Sequence, residues 1–402
     1  MMYDTVKERR AYYASDGSVT RDIIMSTYRI GPIRPPSEAQ SLLLQITQGC
    51  TWNKCKFCNL YRGTQFKTFS ADSIKRDIDT MAEYAEKVMS HRIGGAWDFE
   101  GLNADLSRLP EDEANCYYSV ANWLLNGGET VFLQDGNSLV LRDGRLSEVL
   151  KYLRETFPSI KRVTSYGRAE NLAKITAEEY AELKEAGLDR IHSGFETGSD
   201  AVLQLVNKGV TAAEEIIAGQ NIKAGGLELS VYFMPGLGGK RLSEDNAKGM
   251  ANVVSQVNPD FVRIRTAAVK PETDLYEDFL SGNLVLCSED EKVLELRTLI
   301  EETKGVTTRL VSDHMINLLQ DLEGSLDYEK PEMLAHIDKY LALPEVEKKR
   351  FQLARRLRYV NWLSDMPKLQ AGTISQFDEV IKSIPDQADW DIKMNEIIGR
   401  YI

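Results

Sequence analysis

Cysteine is scarce in this chain and histidine scarcer still, with five and four residues among 402. Five thiols cannot lay out a disulfide framework over such a length, and three of them crowd into one short stretch. That distribution suits a reducing compartment and a soft metal site. The histidines, His91, His192, His314 and His336, are scattered, so a zinc site would have to recruit its fourth ligand from far away. Long apolar runs are missing as well: none approaches the roughly 18–20 residues of a membrane helix. Met1 to Arg10 is polar, so no signal peptide is expected, and the expected location is cytoplasmic. Basic charge is also short. The formal net charge of −12 argues against a nucleic-acid partner, which needs concentrated Lys and Arg, although it leaves room for a local basic pocket.

What the chain does have is an ordinary globular composition, 43% hydrophobic and 27% charged, and enough length for a barrel-sized unit with a smaller companion. Residues 1–40 carry Tyr, Arg and Pro without periodicity and read as an irregular lead-in that packs beside the first strand. An apolar run at about 41–47 reads as that strand. It is followed by a cysteine loop and then by a helix capped by Ser70, with Ile74, Ile78, Met81, Ala85 and Val88 at helical spacing. Residues 91–128 break the pattern and read as an insertion of a loop and one helix.

Regular alternation resumes at Thr130. Strands are predicted at Thr130 to Leu133, Arg162 to Ser165, Arg190 to Gly194, Leu227 to Met234 and Phe261 to Ile264, with helices between them. Two of those helices open on capping boxes, Thr176 to Glu179 and Thr211 to Glu214. Six strand–helix units in a row imply parallel pairing and right-handed crossovers. The expected fold is α/β, a partial (β/α)6 barrel over residues 41–287. A helical C-terminal subdomain is expected over 288–402, with one of its helices running from Leu310 to Leu322. The basic groups Lys348-Lys349-Arg350 and Arg355-Arg356 read as a solvated helix face.

The cysteine loop is the informative stretch. Cys50, Cys55 and Cys58 have the spacing C-x4-C-x2-C just past the end of strand one. Tight spacing lets three thiolates meet one metal centre. Three readings share it: structural zinc with a distant ligand, a plant-type ferredoxin with a fourth cysteine further on, and a [4Fe-4S] cluster with one open iron. The next cysteine, Cys116, lies beyond a helix and an insertion, and six strand–helix units exceed what an electron carrier needs. In parallel α/β architectures chemistry collects at the carboxyl ends of strands. Asp135-Gly136-Asn137, Ser165, Glu196 and Pro235-Gly236 stand at such ends, as the cysteine loop does. Cys116 and Cys287 read as isolated buried thiols, and His192 as a core histidine.

With the triplet, Phe57 before its third cysteine, Asp135-Gly136-Asn137, Gly194-Phe195-Glu196-Thr197-Gly198 and Met234-Pro235-Gly236-Leu237-Gly238-Gly239, residues 40–275 resemble the radical S-adenosylmethionine (SAM) superfamily. Within it they look most like the branch of the Elongator catalytic subunit, the tRNA methylthiotransferases and the coproporphyrinogen oxidase-like proteins. Two departures stand out. Four residues rather than the commoner three separate the first two cysteines, and Asp-Gly-Asn replaces the frequent Gly-Gly-Glu.

The resemblance implies that Cys50, Cys55 and Cys58 ligate a [4Fe-4S] cluster and that SAM chelates the fourth iron. It implies Phe57, Met234, Pro235 and Gly236 near the adenine, and Asp135, Gly136 and Asn137 at the methionyl amino group. Ser165 and Glu196 fall near the ribose, and Arg168 near the SAM carboxylate. It further implies a 5′-deoxyadenosyl radical that takes hydrogen from a small organic substrate, with electrons from a flavodoxin or ferredoxin-type donor. The alternative is a non-catalytic protein that binds cluster and SAM as a chaperone for a cofactor such as haem. His314 and Asn317, read as one turn apart on a tail helix, are the candidates to face the substrate. With two spare cysteines a second cluster domain is not expected.

Overall fold

The computed structural model describes residues 26–401, so most of the predicted lead-in, residues 1–25, lies outside the described residues. Six strands stand side by side in chain order, each parallel to the one before. They are β1 (Leu42–Gln45), β2 (Thr130–Gln134), β3 (Arg162–Gly167), β4 (Arg190–Glu196), β5 (Glu228–Phe233) and β6 (Phe261–Ile264). These are the six strands expected from the sequence, each within two residues or so of its predicted bounds. Their near-continuous burial is what a parallel sheet covered by helices requires. Among the described residues β1 has no partner on its outer edge, so the barrel is open.

Local chemistry accounts for the helix starts. The Ser70 hydroxyl accepts from the Ser73 amide at the head of Ala71–Met89, whose Ile74, Ile78, Met81 and Val88 are all buried. Both predicted capping boxes form, at Thr176/Glu179 and Thr211/Glu214. The 91–128 insertion holds more than the single helix expected. A two-stranded hairpin, Arg92–Ile93 with Ala96–Trp97, precedes two helices, Phe99–Leu106 and Glu111–Leu125. The second helix buries Cys116, Tyr117, Val120 and Trp123, and the Tyr28 hydroxyl donates to the Cys116 carbonyl at 3.1 Å. It is a packing helix of the outer layer.

The expectation of a strand-free tail needs correction. β7 (Arg309–Val311) pairs in parallel with β6, and β8 (Glu323–Ser325) closes the sheet in antiparallel. Residues 310–322 are therefore the end of β7 and the loop that leads to β8, rather than a helix. A short apolar run reads as either element from periodicity alone. The unpaired edge of β6, which had to be covered, selected the strand.

Asn317 lies in the loop between β7 and β8, not on a helix beside His314. It is buried, accepts from the Thr266 amide at 2.9 Å and donates to the Ile264 carbonyl at 2.8 Å, tying that loop to the end of β6. The basic residues of Glu345–Arg356 clasp the same loop. Arg355 donates to the Met315 carbonyl, and buried Arg356 donates to that of Ile316 while pairing with Glu289. The face expected to be solvated is thus partly internal, because these guanidiniums satisfy carbonyls that would otherwise be buried alone. Among the described residues no helix is long and apolar enough to cross a membrane.

Candidate active site

A cavity of about 810 Å³ opens at the carboxyl ends of the parallel strands. Cys50, Cys55 and Cys58 all line it. The cysteine loop is braced from three sides. The Lys56 amide donates to the Val206 carbonyl at 2.9 Å, and the Trp52 indole donates to the Asn207 carbonyl at 2.7 Å. The Leu275 amide donates to the Lys56 carbonyl at 2.9 Å, beside a Lys56–Asp278 ion pair of 2.7 Å. Gly209, at φ +68, lies so close under Trp52 that a Cβ there would fall 2.5 Å from the indole.

The Asp135-Gly136-Asn137 turn divides its labour. Gly136 lines the cavity, where a Cβ would come within 3.1 Å of the Gly49 carbonyl. Asp135 is buried behind it, and its carboxylate accepts from the Tyr61 hydroxyl, from the Gly49 amide at 3.3 Å and from Gln45 at 3.4 Å. Burial pushes its pKa up against these bonds. Asn137 is buried too. Its amide donates to the Thr51 hydroxyl at 3.0 Å, and its carbonyl accepts from the Arg168 amide at 3.3 Å. Asp135 and Asn137 thus grip the cysteine loop instead of lining the cavity.

The remaining predicted residues separate in the same way. Phe57, Arg168, Glu196, Met234 and His314 line the cavity. Ser165 does not, because strand residues alternate sides: its neighbour Tyr166 is the one that faces in, edge-on to Phe132 with ring centroids 5.0 Å apart. Pro235 and Gly236 form the turn behind Met234. The Gly236 amide donates to Glu295 at 2.9 Å, and the Pro235 carbonyl accepts from Ala267 at 3.0 Å. Glu196 holds a left-handed backbone (φ +69) at a bulge in β4, a strain of about 1–3 kcal/mol that the surrounding packing must sustain. Its carboxylate meets the Lys208 ammonium at 3.4 Å.

Several lining residues gave no motif signal in the sequence. Lys208 sits over the Phe57 ring at 5.5 Å, and Tyr166, Tyr232 and Arg265 make up one wall. Strand alternation would have flagged Tyr232 inside its predicted strand and, carried one residue past the predicted ends, Tyr166 and Arg265. Lys208, which follows a short helix, had no such cue. Burial pushes the Cys55 thiol up, while Lys208 and Arg168 pull it back toward the thiolate. Among the described residues no group of three His, Cys, Asp or Glu side chains is arranged to hold a metal ion. Three thiols facing one cavity suit a larger centre, in which each thiolate binds its own iron. Cys116 and Cys287 are buried elsewhere, so the donor set fits a cluster with an unfilled position.

No family model matches the chain. Among curated proteins it is 30% identical over 120 residues to a tRNA uridine(34) acetyltransferase of Methanocaldococcus jannaschii, covering 29% of this chain and 22% of the relative. The namesake from Methanocaldococcus infernus is 27% identical over 118 residues, again 29% of this chain and 22% of the relative. The chain therefore spans less than a quarter of the length of the curated relatives it matches. Radical SAM enzymes stand among the solved structures that it resembles. Coproporphyrinogen III oxidase HemN of Escherichia coli, a radical SAM enzyme, is 17% identical, with 65% of this chain and 51% of that one covered and a TM-score of 0.40. The Elp3 of Methanocaldococcus infernus is 18% identical, with 53% of each chain covered and a TM-score of 0.37. The cobalamin-dependent SAM radical enzyme OxsB is 11% identical, with 90% and 58% covered and a TM-score of 0.41.

Proposed function

We propose that this chain is a radical SAM enzyme in which Cys50, Cys55 and Cys58 hold a [4Fe-4S] cluster and the adjoining cavity takes SAM and a small organic substrate. The observation that carries this reading is the placement of the three thiols. They stand on one braced loop, at the carboxyl ends of parallel strands, over one cavity of about 810 Å³, with both other cysteines buried away from it. A cluster held by Cys50, Cys55 and Cys58 would supply the one-electron reduction that cleaves SAM to a hydrogen-abstracting 5′-deoxyadenosyl radical.

The protein's own residues position and exclude. Phe57 and Met234 offer an apolar contact for a flat base. Glu196, held by Lys208, presents a carboxylate oxygen to hydroxyl donors. Gly136, with no Cβ, lets the Gly49 carbonyl and the Tyr61 ring pack against it and so keeps the cysteine loop at the cavity. Arg168 lines the cavity beside Cys55 and offers its guanidinium to a carboxylate. The barrel wall and His314 border the space from which water must be kept for a radical to survive.

The test is anaerobic reconstitution followed by reduction with dithionite in the presence of SAM. The expected results are about four irons and four sulfides per chain, and formation of 5′-deoxyadenosine that disappears in Cys55→Ala. Cleavage that persists in Cys55→Ala overturns the reading. A cluster that assembles and binds SAM without any cleavage turns it toward the non-catalytic alternative.

A further inference from the structure

The cavity reverses the charge of the molecule. The whole chain has a formal net charge of −12, yet the cavity is lined by Arg34, Arg168, Lys208, Arg265 and Lys270 against one carboxylate, Glu196. Most of these cations are accounted for. Lys208 pairs with Glu196 at 3.4 Å, Arg168 reaches the Cys55 sulfur at 3.9 Å, and Lys270 has its own interaction. A cluster on three thiolates and SAM carry opposite net charges of similar size, so the two together would not neutralise what remains.

Two remain: Arg34, exposed on the segment ahead of the first strand, and Arg265, also exposed but part of the wall that holds Tyr166 and Tyr232. Arg265 follows β6, its amide donates to the Phe233 carbonyl at 2.9 Å, and it lines the same cavity as Tyr166, Tyr232 and His314, whose ionisation its charge influences. Among the described residues its guanidinium meets no carboxylate, whereas its strand neighbour Arg263 is paired with Asp313 at 2.8 Å. His314 cannot share the charge. Burial and Arg265 together hold its pKa down at about 4, so it is neutral near pH 7. A guanidinium in a concave site, flanked by tyrosines and a neutral imidazole, matches the planar two-oxygen face of a carboxylate or the oxygens of a phosphate.

We infer that the substrate of this cavity is a small molecule bearing an oxyanion, carboxylate or phosphate, which seats on Arg265 between Tyr166, Tyr232 and His314. This rests on the radical SAM reading and adds the substrate's charge class to it. The net negative surface then has a use: it leaves the cavity as the place where a small anion is attracted.

The experiment uses the reconstituted, dithionite-reduced holoenzyme with SAM. A deproteinised low-molecular-mass cell extract is split on an anion-exchange resin at low ionic strength, and 5′-deoxyadenosine is followed with each fraction. The retained fraction should raise the rate several-fold and the flow-through should not. Arg265→Gln should abolish that stimulation, and Arg265→Lys should restore part of it, which separates loss of the charge from loss of the fold. Stimulation that survives phosphatase treatment assigns a carboxylate, and stimulation lost on treatment assigns a phosphate. A retained fraction without effect, stimulation by the flow-through, or full stimulation of Arg265→Gln overturns the inference. A wild-type protein that assembles no cluster or never cleaves SAM fails the parent reading instead.

Discussion

The Arg168 guanidinium lies 3.9 Å from the Cys55 sulfur and is fixed there by a second hydrogen bond, 2.9 Å to the Lys208 carbonyl, and by the Trp52 ring at 5.6 Å. Each of these contacts belongs to a segment that braces the cysteine loop. If Cys55 ligates a cluster as proposed, a cation held against its sulfur favours the more negative, reduced state of that cluster. Arg168→Gln should therefore move the midpoint potential of the reconstituted cluster to more negative values while iron content stays close to wild type. Redox titration followed by electron paramagnetic resonance reads the potential. An unmoved midpoint would assign Arg168 to the cavity alone.

Asp135 makes its contacts on the far side of the same loop. It gathers the Tyr61 hydroxyl and the Gly49 amide onto one buried carboxylate. Removing it leaves two buried donors unpaired, at about 1–3 kcal/mol each. Asp135→Ala should lower the iron retained per chain after gel filtration by a clear fraction, and Asp135→Asn, which keeps an acceptor, should lose less. Equal retention in all three proteins would mean that the loop holds its shape without this anchor.

These two residues show what the sequence made legible. The six parallel strands, the capping boxes and the cysteine loop could be read because they depend on local signals: apolar periodicity, Thr-x-x-Glu spacing and clustered thiols. The Asp135-Gly136-Asn137 turn was visible as a strand end, but which of its side chains turn inward depends on partners up to 90 residues away, such as Gln45 and Tyr61. Ser165 failed for a simpler reason, a one-residue difference in which side of β3 faces the cavity. The strands β7 and β8 escaped because three residues are too few to show a period, and β8, Glu323-Gly324-Ser325, has no apolar side chain to mark it. Arg265 lay one residue past a correctly predicted strand, and only the cavity around it shows its significance.

Gly198 and Gly249 touch backbone to backbone. A Cβ on Gly198 would lie 2.3 Å from the Gly249 carbonyl oxygen, and a Cβ on Gly249 would lie 2.7 Å from the Gly198 carbonyl carbon. The helix Ser243–Val257 thus seats directly on the turn that carries Glu196. An inserted methyl must push that helix away, since neither backbone can yield locally. Gly198→Ala should cost about 1–3 kcal/mol, the range for overpacking in a close-packed interior. Urea unfolding monitored by circular dichroism checks the cost. SAM affinity should fall with it, because Glu196 and Lys208 shift together; a stability loss with unchanged SAM affinity would separate this turn from the site.

Glu295 gives a prediction in pH. Burial raises its pKa from the ordinary carboxylate range to about 7, against hydrogen bonds from Ser243, Asn246 and the Gly236 amide, with the Cys287 sulfur 3.7 Å away and Lys292 and Glu291 nearby. The folded protein therefore holds a proton at this site that the unfolded chain releases near pH 4.5. Between those two values the folded state binds more protons than the unfolded one, so its stability falls as pH rises. The drop from this one group should be on the order of 3 kcal/mol, complete a little above pH 7 and absent below the unfolded pKa. In Glu295→Gln, which keeps an acceptor for Gly236 and cannot ionise, the urea midpoint should lose its decline between pH 5 and 8. If the wild type shows no decline across that window, Glu295 is ionised in the fold, and the turn behind Met234 is held by a buried anion instead.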